Sequence, residues 1–223
     1  MHILKAASGV VEIATLMSSP ATVYRVTTPR LVLRCFAPTD APLVSRAIEA
    51  SLEHLRTFLP WARAEPLSLD ERVGLLRQFR GEFDLDRDQT FGLFSPDERE
   101  LVGGAGLHLR VGPHAREIGY WVRADVTRRG YATEAVAALT QIALLAQGAH
   151  RLEIHCDPRN VASSGVPRKL GFVHEATRRR VVDVDAARAA DRMIWTLLDD
   201  ELPSSPAMAV PVEAFDVLGR RVL

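Results

Sequence analysis

The order of local patterns in this chain predicts an α/β fold: a mixed, mostly antiparallel central sheet, helices on both faces, and a central parallel strand–helix–strand unit. Three observations lead there. Short runs of apolar residues alternate with polar ones at period two in several places. Three such runs between residues 90 and 122 are separated only by turn-forming residues, which marks an antiparallel meander. A long helical segment then divides the last of them from the next strand-like run, and such a connection crosses over right-handed between parallel strands.

In chain order, Leu31, Leu33 and Cys35 alternate with Val32, Arg34 and Phe36, a strand. Thr39–Asp40 and Pro42 supply an N-cap and first turn for a helix reaching about Leu52. Phe58–Leu59–Pro60–Trp61 reads as an aromatic loop. Ser68 and Glu71 form a capping box before a second helix, with Val73, Leu76 and Phe79 on one face. Thr90–Phe94, Leu101–Arg110 and Arg116–Val122 are the meander strands, turned by Ser95–Pro96–Asp97 and Gly112–Pro113. The helix opening after Arg128–Gly130 runs through Gln147, buries Val136, Leu139, Ala143 and Ala146, and ends at Gly148. Arg151–Cys156 is a strand. Asn160 caps a short helix ending at Gly171, and Phe172–Asp183 with Arg192–Leu198 reads as a hairpin.

The pattern delimits one folded domain over residues 23–202. Residues 1–22 are small and apolar without a period. They read as a poorly ordered extension rather than a signal peptide, because Glu12 interrupts the apolar run; Met17 is an alternative start. Residues 203–223 open with Pro203–Ser204–Ser205–Pro206, a linker composition, and finish in a tail able to form one last strand.

Bulk properties narrow the function classes. The chain of 223 residues is 47% hydrophobic and 25% charged, which suits a packed globular domain. Its 28 basic residues balance 28 acidic ones, so net charge gives no reason to expect nucleic acid or a membrane surface as partner. No apolar run approaches the roughly 18 residues a spanning helix needs. Cys35 and Cys156 lie in strand-like runs and read as buried thiols of a reducing compartment, the cytoplasm. The histidines form no H-x-x-x-H or Cys/His cluster, so no metal is expected.

The most informative stretch is Glu117–Val122 followed by Thr127–Thr133. It reads as a strand, a basic glycine-containing turn and a helix start. A helix's first N–H groups lack intrahelical partners, and its dipole adds partial positive charge, so an anion suits that end. Gly130 allows close backbone approach, Ala132 keeps the turn uncrowded, and Arg128 and Arg129 add charge. Alone, R-R-G-x-A is more often an ordinary solvated turn. Its neighbours make it specific.

Those neighbours are E-I-G-Y-W-V at 117–122, R-G-Y-A-T-E at 129–134 and N-V-A-S-S-G-V-P-R-K-L-G-F at 160–172, together with T-P-R-L-V-L-R at 28–34 and F-L-P-W at 58–61. Over roughly residues 23–200 the chain resembles the GNAT superfamily of N-acetyltransferases, within it the RimJ/RimL-type branch. The resemblance implies acetyl-CoA as cosubstrate and direct acetyl transfer to a primary amine in a ternary complex. It implies that the strand carrying Tyr120, Trp121 and Val122 bulges, splays from the next strand, and pairs through its backbone with the pantetheine arm. It further implies that Thr127, Arg128, Arg129, Gly130, Tyr131, Ala132 and Thr133 hold the diphosphate and that Asn160 bonds the pantetheine arm. Two departures stand out. Thr127 occupies a place usually held by Gln or Arg. Pro167 stands where many members carry the Tyr that protonates the departing thiolate; Ser163 is the replacement donor expected, although a helix-capping role fits it as well.

The reaction needs a neutral amine, a polarised thioester carbonyl and a protonated leaving thiolate. Glu117, at the start of the cofactor strand, is the expected base, acting directly or through water, and an ordinary exposed carboxylate is its alternative reading. His108 is the reserve. The Val122 N–H is the expected donor to the carbonyl oxygen. The acceptor pocket is expected from residues 52–88, with Phe58 and Trp61 at its mouth, and from the 178–191 hairpin, where Arg178–Arg179–Arg180 either favours acidic acceptors or is a solvated edge. The branch suggests a protein N-terminal α-amine. A small-molecule or antibiotic amine, and a silent acyl-CoA-binding module, stay open, as does a homodimer.

Overall fold

The structure, a computed structural model, describes residues 22–181 and 189–223. Its strands are β1 (Arg25–Thr27), β2 (Val32–Cys35), β3 (Gln89–Phe94), β4 (Leu101–His108), β5 (Ala115–Val122), β6 (Arg151–Cys156), β7 (Val173–Val181), β8 (Ala190–Leu198) and β9 (Glu213–Phe215). They form one sheet in the order β7-β8-β6-β5-β4-β3-β2-β1-β9. Neighbours are antiparallel except β5 and β6, the parallel pair expected at the centre.

Both sheet faces are covered. In β2 and its flanks, Leu31, Leu33 and Cys35 join the larger core with the long helix α4 (Tyr131–Gln141), which continues as a π-helical turn over Ile142–Ala146. Val32 and Phe36 point the other way, to a smaller core with α1 (Ala41–Glu49), α2 (Leu52–Arg56) and α3 (Leu69–Asp84). The period-two alternation thus sorts one strand between two cores. The fifth helix, α5 (Val161–Lys169), places Val166 in the larger core.

The capping box forms as read: Ser68 Oγ accepts from the Glu71 N–H, and Glu71 accepts from the Ser68 N–H at 2.8 Å. Other details differ from the sequence reading. Asp40 stands at the N-cap of α1 with Pro42 in the first turn, but its side chain makes no capping bond. Its carboxylate is drawn to Arg34 at 2.8 Å and to the Ala37 N–H, and Pro38–Asp40 becomes a 3-10 turn. The first helix breaks after Glu49, and a short second one begins at Leu52. The aromatic loop ends in a 3-10 turn over Pro60–Ala64. The strand extended to Arg110 stops at His108, and Val182 and Asp183 lie outside the described residues.

Residues 203–209 pack against the domain instead of acting as a linker, and the tail forms the last strand expected of it, β9. Ala207 and Ala214 are fully buried, the Gln141 amide donates to the carbonyls of Ala207 and Val210, and β9 pairs with β1 at the sheet edge. The small residues of the segment let it lie close against α4; the proline and serine composition reflected tight turns. Of the proposed extension 1–22, only Thr22 is among the described residues.

Candidate active site

The parallel pairing of β5 and β6 covers only Ala115–Glu117 against Arg151–Glu153. Beyond it the strands run on, to Val122 and Cys156, without pairing each other. On its other side β5 keeps an unshifted register with β4 from Glu117↔His108 to Val122↔Gly103, so the bulge the resemblance implies is absent there. The Arg123 N–H donates to Val102 O, in phase with that ladder. Antiparallel pairs alternate between bonded and non-bonded, so Ile118, Tyr120 and Val122 turn their backbone groups away from β4, toward the opening beside β6. The splay comes from the parting of β5 and β6 alone.

After β5 the chain makes a 3-10 turn over Ala124–Val126 and enters α4 through Gly130, at φ +86°. The first α4 bond runs from the Glu134 N–H to Gly130 O at 3.0 Å, which leaves the N–H groups of Tyr131, Ala132 and Thr133 ahead of the ladder. Arg128, itself at φ +63°, Arg129 and Gly130 are exposed. The Thr127 hydroxyl donates back to Ala124 O, so its side chain is committed to the turn.

A residue that sequence reasoning missed builds this tip. Arg30 donates to Arg129 O at 2.8 Å, pairs with buried Glu134 at 2.6 Å and lies over the Tyr131 ring. Glu134 also accepts from the Thr28 hydroxyl and the Arg30 N–H. The T-P-R and R-G-Y-A-T-E motifs are therefore two halves of one ionic clamp.

Asn160 caps α5, its side-chain oxygen accepting from the Ser163 N–H at 3.1 Å, which leaves its amide NH2 to offer a ligand. Tyr120 projects to the α4–α5 face. Its hydroxyl donates to Ser163 O and lies 3.1 Å from Ser163 Oγ. Burial pushes the Tyr120 phenol well above its ordinary value, so it remains a proton donor.

Trp121 projects to the opposite face and meets Trp61 edge-on, centroids 6.0 Å apart. Between that aromatic pair and a set of ionisable groups lies a glycine floor, Gly104 under the Trp121 indole and Gly106 and Gly119 under the His108 ring. Glu117, 7% exposed, is gripped by Arg110 through two bonds of 2.7 and 2.6 Å. Burial raises the Glu117 carboxyl, but the Arg110 bonds and the nearby His155 more than offset this and hold it below its usual range. His155 has Nδ1 3.5 Å from Glu117 and Nε2 2.6 Å from Glu153, which pairs in turn with Arg151. His108 holds Asp88 through Nδ1 at 2.8 Å. Sequence reasoning missed Arg110, Glu153, His155 and Asp88. The signal for two of them was present: parallel register sets Glu153 beside Glu117, and alternation adds His155 to the same face.

Phe58 is half-buried and Trp61 is 39% exposed, while Arg178, Arg179 and Arg180 are exposed on β7; residues 182–188 of the expected acceptor hairpin lie outside the described residues. Cys35 and Cys156 are free and buried. Among the described residues there is no group of three His, Cys, Asp or Glu arranged for a metal, and no helix is long and apolar enough to cross a membrane.

A splayed parallel pair with an exposed helix tip at its carboxyl end suits a ligand with an anionic end and an extended amide-bearing arm. A family profile described as the acetyltransferase (GNAT) domain matches residues 30–173. The chain belongs to this family and is an acetyl-CoA-dependent N-acetyltransferase. It is 28% identical over 169 residues to the Escherichia coli K12 ribosomal protein uS5-alanine N-acetyltransferase, covering 72% of this chain and 84% of that protein. The structure of Mycobacterium smegmatis RimJ in complex with CoA-disulfide superposes with a TM-score of 0.71 at 27% identity, over 85% of this chain and 92% of that one. RimL, a ribosomal L7/L12 α-N-protein acetyltransferase solved with coenzyme A, gives 0.69 at 18% identity, over 77% and 95%, and shows likeness of fold alone.

Proposed function

We propose that this enzyme acetylates a protein N-terminal α-amine in the cytoplasm, by direct transfer from acetyl-CoA in a ternary complex. The observation that carries the reading is the unpaired edge of β5 from Ile118 to Val122, flanked by the exposed α4 tip. That edge accepts an extended amide-bearing arm as a further strand would be accepted. The N–H groups of Tyr131, Ala132 and Thr133, with Arg128 and Arg129, hold the diphosphate; Gly130 lets it approach, and Thr127 contributes backbone only. The Asn160 NH2 and the backbone of Tyr120, Trp121 and Val122 hold the arm, and the Val122 N–H polarises the thioester carbonyl.

The acceptor enters from the opposite face, over the glycine floor and between Trp61 and Glu117. Glu117, held ionised by Arg110, draws in the ammonium group and orders the water through which its proton leaves. An α-amino group, near 7.7–8.0, needs a far weaker base than a lysine near 10.4, which favours the α-amine. The E. coli relative, named for a ribosomal-protein alanine, supports the same class of acceptor. On the other face the Ser163 hydroxyl, bonded to Tyr120, protonates the thiolate as the C–S bond breaks.

The test is acetyl-CoA turnover, read as free thiol and by peptide mass. The panel holds peptides with free N-terminal Ala, Ser or Met, an N-blocked lysine peptide, and small amines. Acetylation of free N-termini alone supports the proposal. Turnover only with small amines replaces the acceptor class, and tight CoA binding without turnover on any amine would leave a silent binding module.

A further inference from the structure

We propose that Asp88 and His108 form the proton-accepting dyad of this reaction, His108 Nε2 taking the acceptor's proton while Asp88 fixes the ring; the assignment rests on the acetyltransferase reading of the site. Both Asp88 carboxylate oxygens lie within 2.9 Å of His108 Nδ1. A carboxylate only accepts, so Nδ1 carries the hydrogen, and in the neutral ring Nε2 carries the lone pair. That nitrogen is turned over the glycine floor. A Cβ built on Gly106 would lie 2.6 Å from it, and one on Gly119 3.2 Å from it. Two strand positions thus lack side chains where the imidazole edge comes down. The ring is not sealed off: its side chain is 20% exposed.

The two other candidates on this face are worse placed. Both Glu117 oxygens are engaged by Arg110, which weakens the carboxylate as a base. His155 has a carboxylate at each ring nitrogen, Glu117 on one side and Glu153 on the other. Asp88 reaches His108 from the turn before β3, and Glu117 is its cross-strand partner on β5. Arg110 on the chain beyond β4 and His155 on β6 reach it through Glu117.

The step balances as follows. The amine lone pair forms the C–N bond to the acetyl carbon, and the surplus amine proton passes to His108 Nε2. The C–S bond breaks with its electron pair on sulfur, and the thiolate takes the Ser163 hydroxyl proton. Solvent then deprotonates the imidazolium and restores the hydroxyl.

The experiment uses the full chain. Long-range nitrogen–carbon NMR correlations of the histidine rings should show His108 with the proton on Nδ1, and Asp88→Asn should reverse or mix the tautomers. Kinetics with the fastest acceptor of the peptide panel should show His108→Gln lowering kcat about 100-fold, the scale of general-base catalysis, with the Kd for acetyl-CoA unchanged. The acid limb of the kcat/KM profile, compared on that same acceptor, should lose one ionisation. Asp88→Asn should lower kcat by a smaller factor, and added imidazole should restore part of the rate to His108→Ala but none to Asp88→Asn. Retention of rate and acid limb by His108→Gln, or a ring protonated only on Nε2, overturns the dyad alone. A wild-type enzyme inert towards every amine overturns the acetyltransferase reading and the dyad with it.

Discussion

The Tyr120 hydroxyl donates to the Ser163 carbonyl at 2.9 Å, and that carbonyl is the one Pro167 deprives of its helical partner. In an α-helix the N–H of residue 167 would bond the oxygen of residue 163, and proline has none. A strand residue of the cofactor edge therefore completes a hydrogen bond of α5, and the same contact brings Tyr120 to the Ser163 hydroxyl. Tyr120→Phe is expected to cost about 1–3 kcal/mol, because it strands a half-buried acceptor. In a Pro167→Ala background the helix supplies its own donor, and the cost should shrink by about 1 kcal/mol. Urea denaturation of the four proteins in this cycle measures the coupling; strictly additive values would disprove it.

Gly130 separates two effects at the α4 tip. At φ +86° any side chain is strained by about 1 kcal/mol, and a Cβ would lie 3.3 Å from Arg30 Nη2, a flexible contact. Gly130→Ala should therefore lower stability slightly and weaken CoA binding by a modest factor, because its Cβ crowds the approach of the diphosphate. Gly130→Glu sets a carboxylate where the diphosphate belongs, and should weaken the Kd at least about 100-fold, near 3 kcal/mol. Calorimetric titration with CoA reads both variants. Equal binding by wild type and Gly130→Glu would remove the tip from the cofactor site.

The sheet, its parallel centre and the turn at Gly130 were legible because each is written locally: alternation, a glycine, a capping box. What escaped was written across the chain. Arg30 and Glu134 stand far apart in sequence, and nothing in either segment names the other. Asp88 reads as a turn residue until β3 and β4 pair and bring it to His108. The segment 203–209 has the composition of a linker because tight 3-10 turns and linkers use the same residues. Glu117 was legible as a carboxylate at the start of a strand, but its bond to Arg110 needed the β4–β5 hairpin to close.

Glu65 and Arg72 form an ion pair at 2.5 Å, each side chain 3% exposed, which fixes the first turn of α3 to the loop carrying Trp61. Such a pair adds little net stability over an apolar substitute, but removing one partner leaves a buried charge. Glu65→Ala should cost about 3–5 kcal/mol. Replacing both residues by Leu and Met should cost clearly less than Glu65→Ala alone. Thermal melts of the three proteins give the comparison, and a single variant as stable as wild type would contradict the buried geometry.

The depressed ionisation of Glu117 fixes the sign of its pH dependence. Its folded-state carboxyl lies below the ordinary value, so its stabilising contribution is fully present above the unfolded glutamate range and is lost as pH falls through the folded value. Glu117→Gln weakens the ion pair with Arg110, whose side chain is 61% exposed, so the loss near pH 7 should be only about 1 kcal/mol. The gap between wild type and variant should start to close as pH falls through about 4.3, the unfolded carboxyl's value, and go on closing through the lower folded value. The depressed carboxyl also sets the pH dependence of the rate. A base titrating within the assay range would lose its advantage as it protonates, so the wild-type and Glu117→Gln rates would converge toward acid. A carboxylate already formed across the assay range instead predicts a drop in kcat of similar size from about pH 6 to 9, with little change in the Kd for acetyl-CoA. Parallel pH–rate curves for the two enzymes match an electrostatic, proton-ordering Glu117. Curves that converge steadily toward acid return the role of terminal base to Glu117 and take it from His108.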